Sequence, residues 1–83
     1  MFKLSTINIY FRTTSGREYV QEQDVSGHDF MSTTPEALKA TILEDTGKQL
    51  LTSTWWMWVD LGSKKEEQVW SGCFESYRVE LVE

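Results

Sequence analysis

The sequence has one cysteine, one histidine and one proline among its 83 residues, and the first two scarcities exclude whole classes of protein. A lone thiol, Cys73, cannot form an internal disulfide, so the chain lacks the disulfide framework of many small secreted domains. One histidine and one cysteine are too few for a structural zinc site. The most apolar stretch, residues 50–61, is too short and too polar to span a bilayer, and residues 1–6 show no signal-peptide pattern. We therefore expect a cytoplasmic chain with no metal, cofactor or membrane segment.

Basic residues are also few. Thirteen acidic side chains stand against eight basic ones, which gives a formal charge of −5. Proteins that hold the phosphate backbone draw their affinity from Lys and Arg, so we expect no direct nucleic-acid binding. The balance favours a basic protein partner that is reached by electrostatic steering.

The remaining composition is that of a small folded protein. A hydrophobic content of 40% with 25% charged residues is ordinary for globular chains and too apolar for disorder. The length predicts a single domain over residues 1–83. A small-molecule pocket of about 300 Å³ would remove a large share of so small a core.

Two strands are predicted before the first helix. In residues 6–13, Ile7, Ile9 and Phe11 alternate with more polar side chains, which is the pattern of a half-buried strand. Gly16 favours a tight reversal after it. Residues 18–25 form a second strand, and their largely polar composition predicts a solvated edge of the sheet.

A helix is predicted from the strongest local signal in the chain. Thr34 is a suitable N-cap, and Pro35 fits the first helical position. The helix should end near Thr46, because Gly47 is the residue type favoured just past a helix end. Leu38 and Ile42 define its buried face, and the residues expected to widen that face are Ala37, Ala40 and Leu43.

The last third of the chain is predicted to be a hairpin. Residues 50–61 and 68–82 form its strands, and residues 62–67 form a polar turn. Gly72 marks a candidate bulge, or the final strand breaks near Glu75 and Ser76 into two. The expected fold is therefore α+β, in the order ββαββ, with one helix on an antiparallel sheet of four strands, or five if the last one breaks.

Large aromatic side chains are concentrated in this hairpin. Trp56 and Trp58 share one side of the third strand, and Trp70 and Phe74 join them if the hairpin aligns about its turn. Four such side chains exceed the apolar area that a monomer normally leaves in water. We therefore predict a partner-binding surface made of Trp56, Trp58, Trp70 and Phe74, with a charged rim of Asp60, Glu66, Glu67 and Glu75. In the alternative interpretation, the helix packs on this aromatic face, and loops complete the opposite face, which carries Trp55, Met57 and Val59.

Catalytic chemistry has little support in the sequence. His28 has no serine or cysteine at motif spacing, and Cys73 lies in an apolar strand. The adjacent carboxylates, such as Glu66 and Glu67, point apart, and no phosphate-binding glycine loop is present. We therefore expect that the chain is not an enzyme.

Small acidic proteins of this type are often inhibitors carried by mobile elements, an analogy of type alone. Our hypothesis is a non-enzymatic protein-binding protein encoded by a phage or mobile element. It would block a host protein complex, such as a CRISPR effector (as an anti-CRISPR protein) or another nucleic-acid-processing complex. Steric occlusion is the favoured mechanism, and partial mimicry of nucleic acid by carboxylates is the second. The alternatives are a homo-oligomeric accessory module, with a homodimer as its simplest form, and a carbohydrate-binding module that uses tryptophan faces as sugar platforms.

Overall fold

The structure, a computed structural model, describes residues 4–26 and 34–82. Its elements follow the order β-β-α-β-β-β. They are β1 (Thr6–Thr13), β2 (Glu18–Asp24), α1 (Pro35–Leu50), β3 (Trp55–Asp60), β4 (Glu66–Trp70), a 3₁₀ turn (Ser71–Cys73) and β5 (Phe74–Val82). The five strands form one antiparallel sheet in the order β4-β3-β2-β1-β5. The α+β prediction is confirmed, whereas the four-stranded ββαββ order is wrong because the final strand divides in two.

The division occurs at the 3₁₀ turn rather than near Glu75 and Ser76. Ser71 is fully buried there, and its Oγ accepts a hydrogen bond from the Thr54 amide at 2.8 Å. Gly72 lies under the Trp70 indole, where a Cβ atom would come within 2.5 Å of the ring. The Thr14 amide then donates to the Cys73 carbonyl at 2.9 Å, which brings the chain to the far side of β1. The strand therefore ends where a buried serine and a ring-covered glycine turn it away from β3.

The second strand is not at the edge of the sheet. β2 lies between β1 and β3, so its predicted edge position is wrong. Its pairing with β3, however, extends over Tyr19 and Val20 alone. The more polar half, residues 21–24, is paired with β1 only, which explains why an interior strand has the composition of an edge.

The helix begins as predicted and ends later. The Thr34 side chain accepts a hydrogen bond from the Ala37 amide at 3.2 Å, and Pro35 occupies the first turn. The helix continues through Gly47 to Leu50. Gly47 therefore does not end the helix but has a packing role within it. Its missing Cβ leaves room for the ring and hydroxyl of Tyr77.

The helix covers one side of the sheet, which we call the inner face; the other side is the outer face. Its inward stripe consists of Leu38, Ile42, Leu43, Thr46 and Leu50, while Ala37 and Ala40 are exposed. On the inner face, the Phe11 ring stacks on Trp58 with centroids 5.0 Å apart, and Ile9 and Val79 are buried beside them. The core therefore lies between α1 and the inner face.

We predict that Gly47→Ala destabilises the protein. At a free helical position this change stabilises by about 1 kcal/mol. Here the new methyl group would overlap the Tyr77 hydroxyl, and such overpacking costs about 1–3 kcal/mol. Denaturant unfolding of Gly47→Ala and of Gly47→Ala/Tyr77→Phe tests this, because removing the hydroxyl should recover part of the loss. Ala40→Gly, at an exposed helical position, calibrates helix propensity, and a more stable Gly47→Ala protein would contradict the packing role of Gly47.

Candidate functional site

The predicted aromatic surface is divided between the two faces of the sheet. Trp56 lies opposite Val69 and Trp58 opposite Glu67, so these indoles belong to the inner face. Trp58 is buried at 4% exposure, and both indoles border a small cavity that the end of α1 closes. Trp70 lies opposite Trp55 and therefore on the outer face. The prediction that Trp56 and Trp58 share one side of the sheet with Trp70 is wrong.

The reason is the parity of the hairpin pairing, because strands aligned about residues 62–67 already place even-numbered residues opposite odd-numbered ones. Side chains alternate between faces with a period of two, so a shift of one residue in register exchanges the faces of a whole strand. The observed register pairs even-numbered residues of β3 with odd-numbered residues of β4. Phe74 belongs to the next strand, β5, where it packs against Phe11 and Tyr77 on the inner face and is half-buried.

The outer face carries two of the three exposed tryptophans, while Trp56 is 38% exposed on the inner face. Trp55, Met57 and Trp70, which we call the outer patch, are 61%, 51% and 43% exposed. The indole nitrogen of Trp70 donates to the Ser53 carbonyl at 3.4 Å, which fixes that ring at one end of the patch. The alternative interpretation of the sequence is thus half correct. The helix covers the face of Trp58, but within residues 4–26 and 34–82 no loop buries the opposite side of β3.

A structural role accounts for part of this patch. Trp55 and Trp70 are direct neighbours across β3 and β4. Cross-strand aromatic pairs stabilise a sheet by about 0.2–1 kcal/mol relative to alanine pairs. Such a pair does not require that both rings remain so exposed, and the side chain of Met57 next to them is half in solvent.

Two of the predicted rim carboxylates are held by partners within the chain instead. Asp60 is buried and accepts hydrogen bonds from the amides of Gly62 at 2.7 Å and Ser63 at 3.1 Å. These amides, and more weakly the charge of Arg17, lower the pKa of Asp60. Glu67 lies on the inner face, 3.6 Å from Arg17, and accepts a hydrogen bond from the Tyr19 hydroxyl at 3.1 Å.

Tyr19 is the buried member of this ionic cluster. Burial, and then its hydrogen bond to Glu67, raise the pKa of Tyr19, so the phenol stays protonated as a donor. The cluster is therefore a self-satisfied structural unit that holds β2, β3 and β4 together.

Other carboxylates lie on the outer face of the sheet. Glu66 is exposed on the outer face of β4. Glu22 and Asp24 lie on the outer face of β2, and the Gln21 side-chain amide donates to the Met57 carbonyl at 3.1 Å, which keeps this part of β2 beside β3. In the described chain, none of these three carboxylates has an ion-pair partner. Alternation along β2 assigns Glu22 and Asp24 to one face, but the sequence does not reveal which strand lies beside them.

The remaining predicted rim residue is neutralised. Glu75 lies 3.7 Å from Arg12, near the edge of the sheet that is opposite to β4. On the same side, Arg78 bonds to Glu80 and stacks over the Tyr10 ring, 3.8 Å from its centroid. Unpaired negative charge on the outer face is therefore found beside the outer patch.

Of the residues considered for catalysis, Cys73 lies in the described part of the chain. His28 lies outside the described residues. Cys73 is half-buried, and its thiol donates to the Trp70 carbonyl at 2.9 Å. No group of three potential metal ligands occurs in the described ranges, and no helix there is long and apolar enough to cross a membrane.

Comparison with known proteins adds no functional assignment. No family model, curated protein or solved structure matches the chain. A functional proposal therefore depends on the geometry of the surface.

We predict that Asp60 contributes to acid unfolding. Because its pKa is lowered in the folded state, its stabilisation is complete above the ordinary aspartate pKa of about 3.9 and is lost as the pH falls through the lower folded value. The unfolding temperature of Asp60→Asn should therefore fall less steeply than that of the wild type below about pH 4. Asp45→Asn, at an exposed helical position, controls for the loss of one charge. Identical pH profiles for wild type and Asp60→Asn would contradict this role.

Proposed function

We propose that the chain is a non-enzymatic binding protein that uses the outer patch to occupy the surface of another protein. The observation that carries the proposal is the exposure of Trp55, Met57 and Trp70 side by side on a sheet face that α1 does not cover. The predicted binding role moves from the inner-face residues Trp56 and Trp58 to these three.

Docking would remove the exposed apolar side chains of the outer patch from water, which lowers the free energy of the complex. Apolar surface that leaves water contributes about 25 cal/mol per Å². Tryptophan and methionine are enriched in interfaces, and tryptophan is among the residues that most often dominate binding energy. Two indoles held on a strand have already lost much of their freedom, so ordering them on docking costs little.

The charge around the outer patch indicates the sign of the partner. Glu66 on β4 and Glu22 and Asp24 on β2 lie on the same face as the patch without ion-pair partners in the described chain, and the whole sequence carries a charge of −5. A positively charged surface would be steered to this side of the sheet, and the apolar centre would then supply most of the affinity.

The mechanism that fits such a surface is occlusion. A small rigid domain that covers a functional surface inhibits without chemistry of its own. Imitation of nucleic acid by carboxylates fits less well, because Asp60, Glu67, Glu75 and Glu80 are paired within the chain. The biological setting that we propose is a cytoplasmic inhibitor of a host protein complex, carried by a phage or another mobile element.

We predict that Trp55→Ala/Trp70→Ala abolishes partner capture. The double variant removes both indoles of the outer patch and leaves the inner core intact. Affinity capture from a lysate of the source cells, quantified by mass spectrometry, should retain specific proteins on the wild type and lose them on the variant. Val82→Ala is the matched control, since Val82 is an exposed apolar residue of β5 at the opposite edge of the sheet.

Two outcomes would contradict the proposal. The first is that the folded double variant captures the same proteins as the wild type. The second is a dimer in light scattering that Trp55→Ala/Trp70→Ala converts to monomers, which would assign the outer patch to a second copy of this chain.

A further inference from the structure

The free edge of the sheet runs directly beside the outer patch. β4 is the last strand on that side, and only β3 pairs with it in the described chain. Trp70, a member of the outer patch, is also the last residue of β4. The exposed indoles and the unpaired strand edge therefore form one continuous surface.

The hydrogen bonds at both ends of the hairpin show which backbone groups face this edge. The Asp60 amide donates to the Lys65 carbonyl at 2.9 Å, and the Ser71 amide donates to the Thr54 carbonyl at 2.8 Å. Bonded and non-bonded pairs alternate along an antiparallel ladder, so Lys65, Glu67, Val69 and Ser71 direct their backbone groups to β3. Glu66, Gln68 and Trp70 direct theirs away from the sheet.

These three residues also place their side chains on the outer face. A strand added beside β4 would lie about 4.8 Å away, and every second side chain of it would project over the outer face. Those side chains would lie beside Trp70 and Glu66. The Trp70 carbonyl accepts from the Cys73 thiol, so the groups open to a new strand are the amides of all three residues and the carbonyls of Glu66 and Gln68.

We propose that the edge of β4 receives an extended basic segment of the partner protein as a sixth strand. Its alternate apolar side chains pack on the outer patch, and its lysines or arginines lie near Glu66. This inference depends on the proposed function and specifies how the partner is bound. Strand addition supplies affinity through main-chain hydrogen bonds and selectivity through every second side chain.

Charge decides between this occupant and a second copy of the chain. Two copies that paired along β4 would each carry a charge of −5, and each edge would add an exposed Glu66 without an ion-pair partner in the described chain. Charged side chains are a common device by which natural sheets prevent self-pairing at an edge. Glu66 and the net negative charge attract a basic strand, whereas they oppose a second copy of the chain.

The test uses a random-peptide library displayed on phage and selected on the full chain. We expect enriched peptides in which apolar residues and lysine or arginine alternate with a period of two. A synthetic peptide of the enriched sequence should bind the wild type in calorimetry. Apolar residues at a spacing of three and four, or no enrichment, would overturn strand addition.

Matched variants of Gln68 locate the binding mode. Gln68→Pro removes the outward amide without breaking a bond to β3, and proline is tolerated at such edge positions. Gln68→Pro should lower the affinity for the peptide by about tenfold or more. Gln68→Ala keeps the amide and should bind as the wild type does. Amide exchange of the wild type is a second measurement that needs no variant: the Gln68 amide should become protected when the peptide binds.

The results separate this inference from the proposed function. If Gln68→Pro binds normally and the Gln68 amide stays unprotected while Trp55→Ala/Trp70→Ala loses the peptide, strand addition is wrong and the outer patch remains the binding site. If none of these variants loses the peptide, both proposals are wrong. Protection of the Gln68 amide that rises with protein concentration alone would show that the occupant is a second copy.

Discussion

The Asp60 carboxylate holds the turn between β3 and β4 by accepting hydrogen bonds from the amides of Gly62 and Ser63. Lys64, in the same turn, adopts a positive φ of 63°. These contacts set the number of residues in the turn, and that number sets the register of the two strands. The pairing of β3 with β2 places Trp58 on the inner face, and the register of the hairpin then places Trp70 on the outer face beside Trp55. The buried Asp60 carboxylate therefore helps to decide which residues of the edge strand β4 join the exposed surface.

The inner face shows one consequence of these strand pairings. Trp58 stacks on Phe11 and is almost fully enclosed, and the end of α1 closes the space beside it. The opposite parity would place Trp55 and Met57 inside and expose Trp58. One helix covers one face of a sheet, so either register leaves large apolar side chains on the other face. The surplus of aromatic surface is thus a property of the composition, while its location is a property of how β2, β3 and β4 pair.

Local sequence signals predicted the elements that depend on local contacts. The alternation of Ile7, Ile9 and Phe11 fixed β1, and Thr34 with Pro35 fixed the start of α1, because each signal acts within a few residues. The signals that failed depend on residues distant in the chain. Gly47 is typical of a helix end, but Tyr77, thirty positions later, needs the space of its missing side chain.

The candidate surface was only partly predictable for the same reason. An excess of aromatic residues in the last third of the chain is visible in the sequence, and Trp70 is a member of the outer patch. The faces of Trp56 and Trp58 depend on a register that alternation within one strand cannot reveal. Similarly, β2 has an edge-like composition because its pairing with β3 stops at Val20, and pairing lengths are not encoded in the strand itself.

The distribution of charge divides the outer face into two halves with different properties. On β1 and β5, Arg12 and Arg78 are each neutralised by a nearby glutamate, and Arg78 also covers Tyr10. On β3 and β4, the apolar side chains are bordered by carboxylates that have no ion-pair partner in the described chain. A basic partner gains more Coulomb energy at the second half, because Glu75 and Glu80 in the first half are already paired with arginines. Arg12 and Arg78 thus cancel negative charge elsewhere on the same face, which directs a basic partner toward the outer patch. The edge of β4 lies where that partner would arrive.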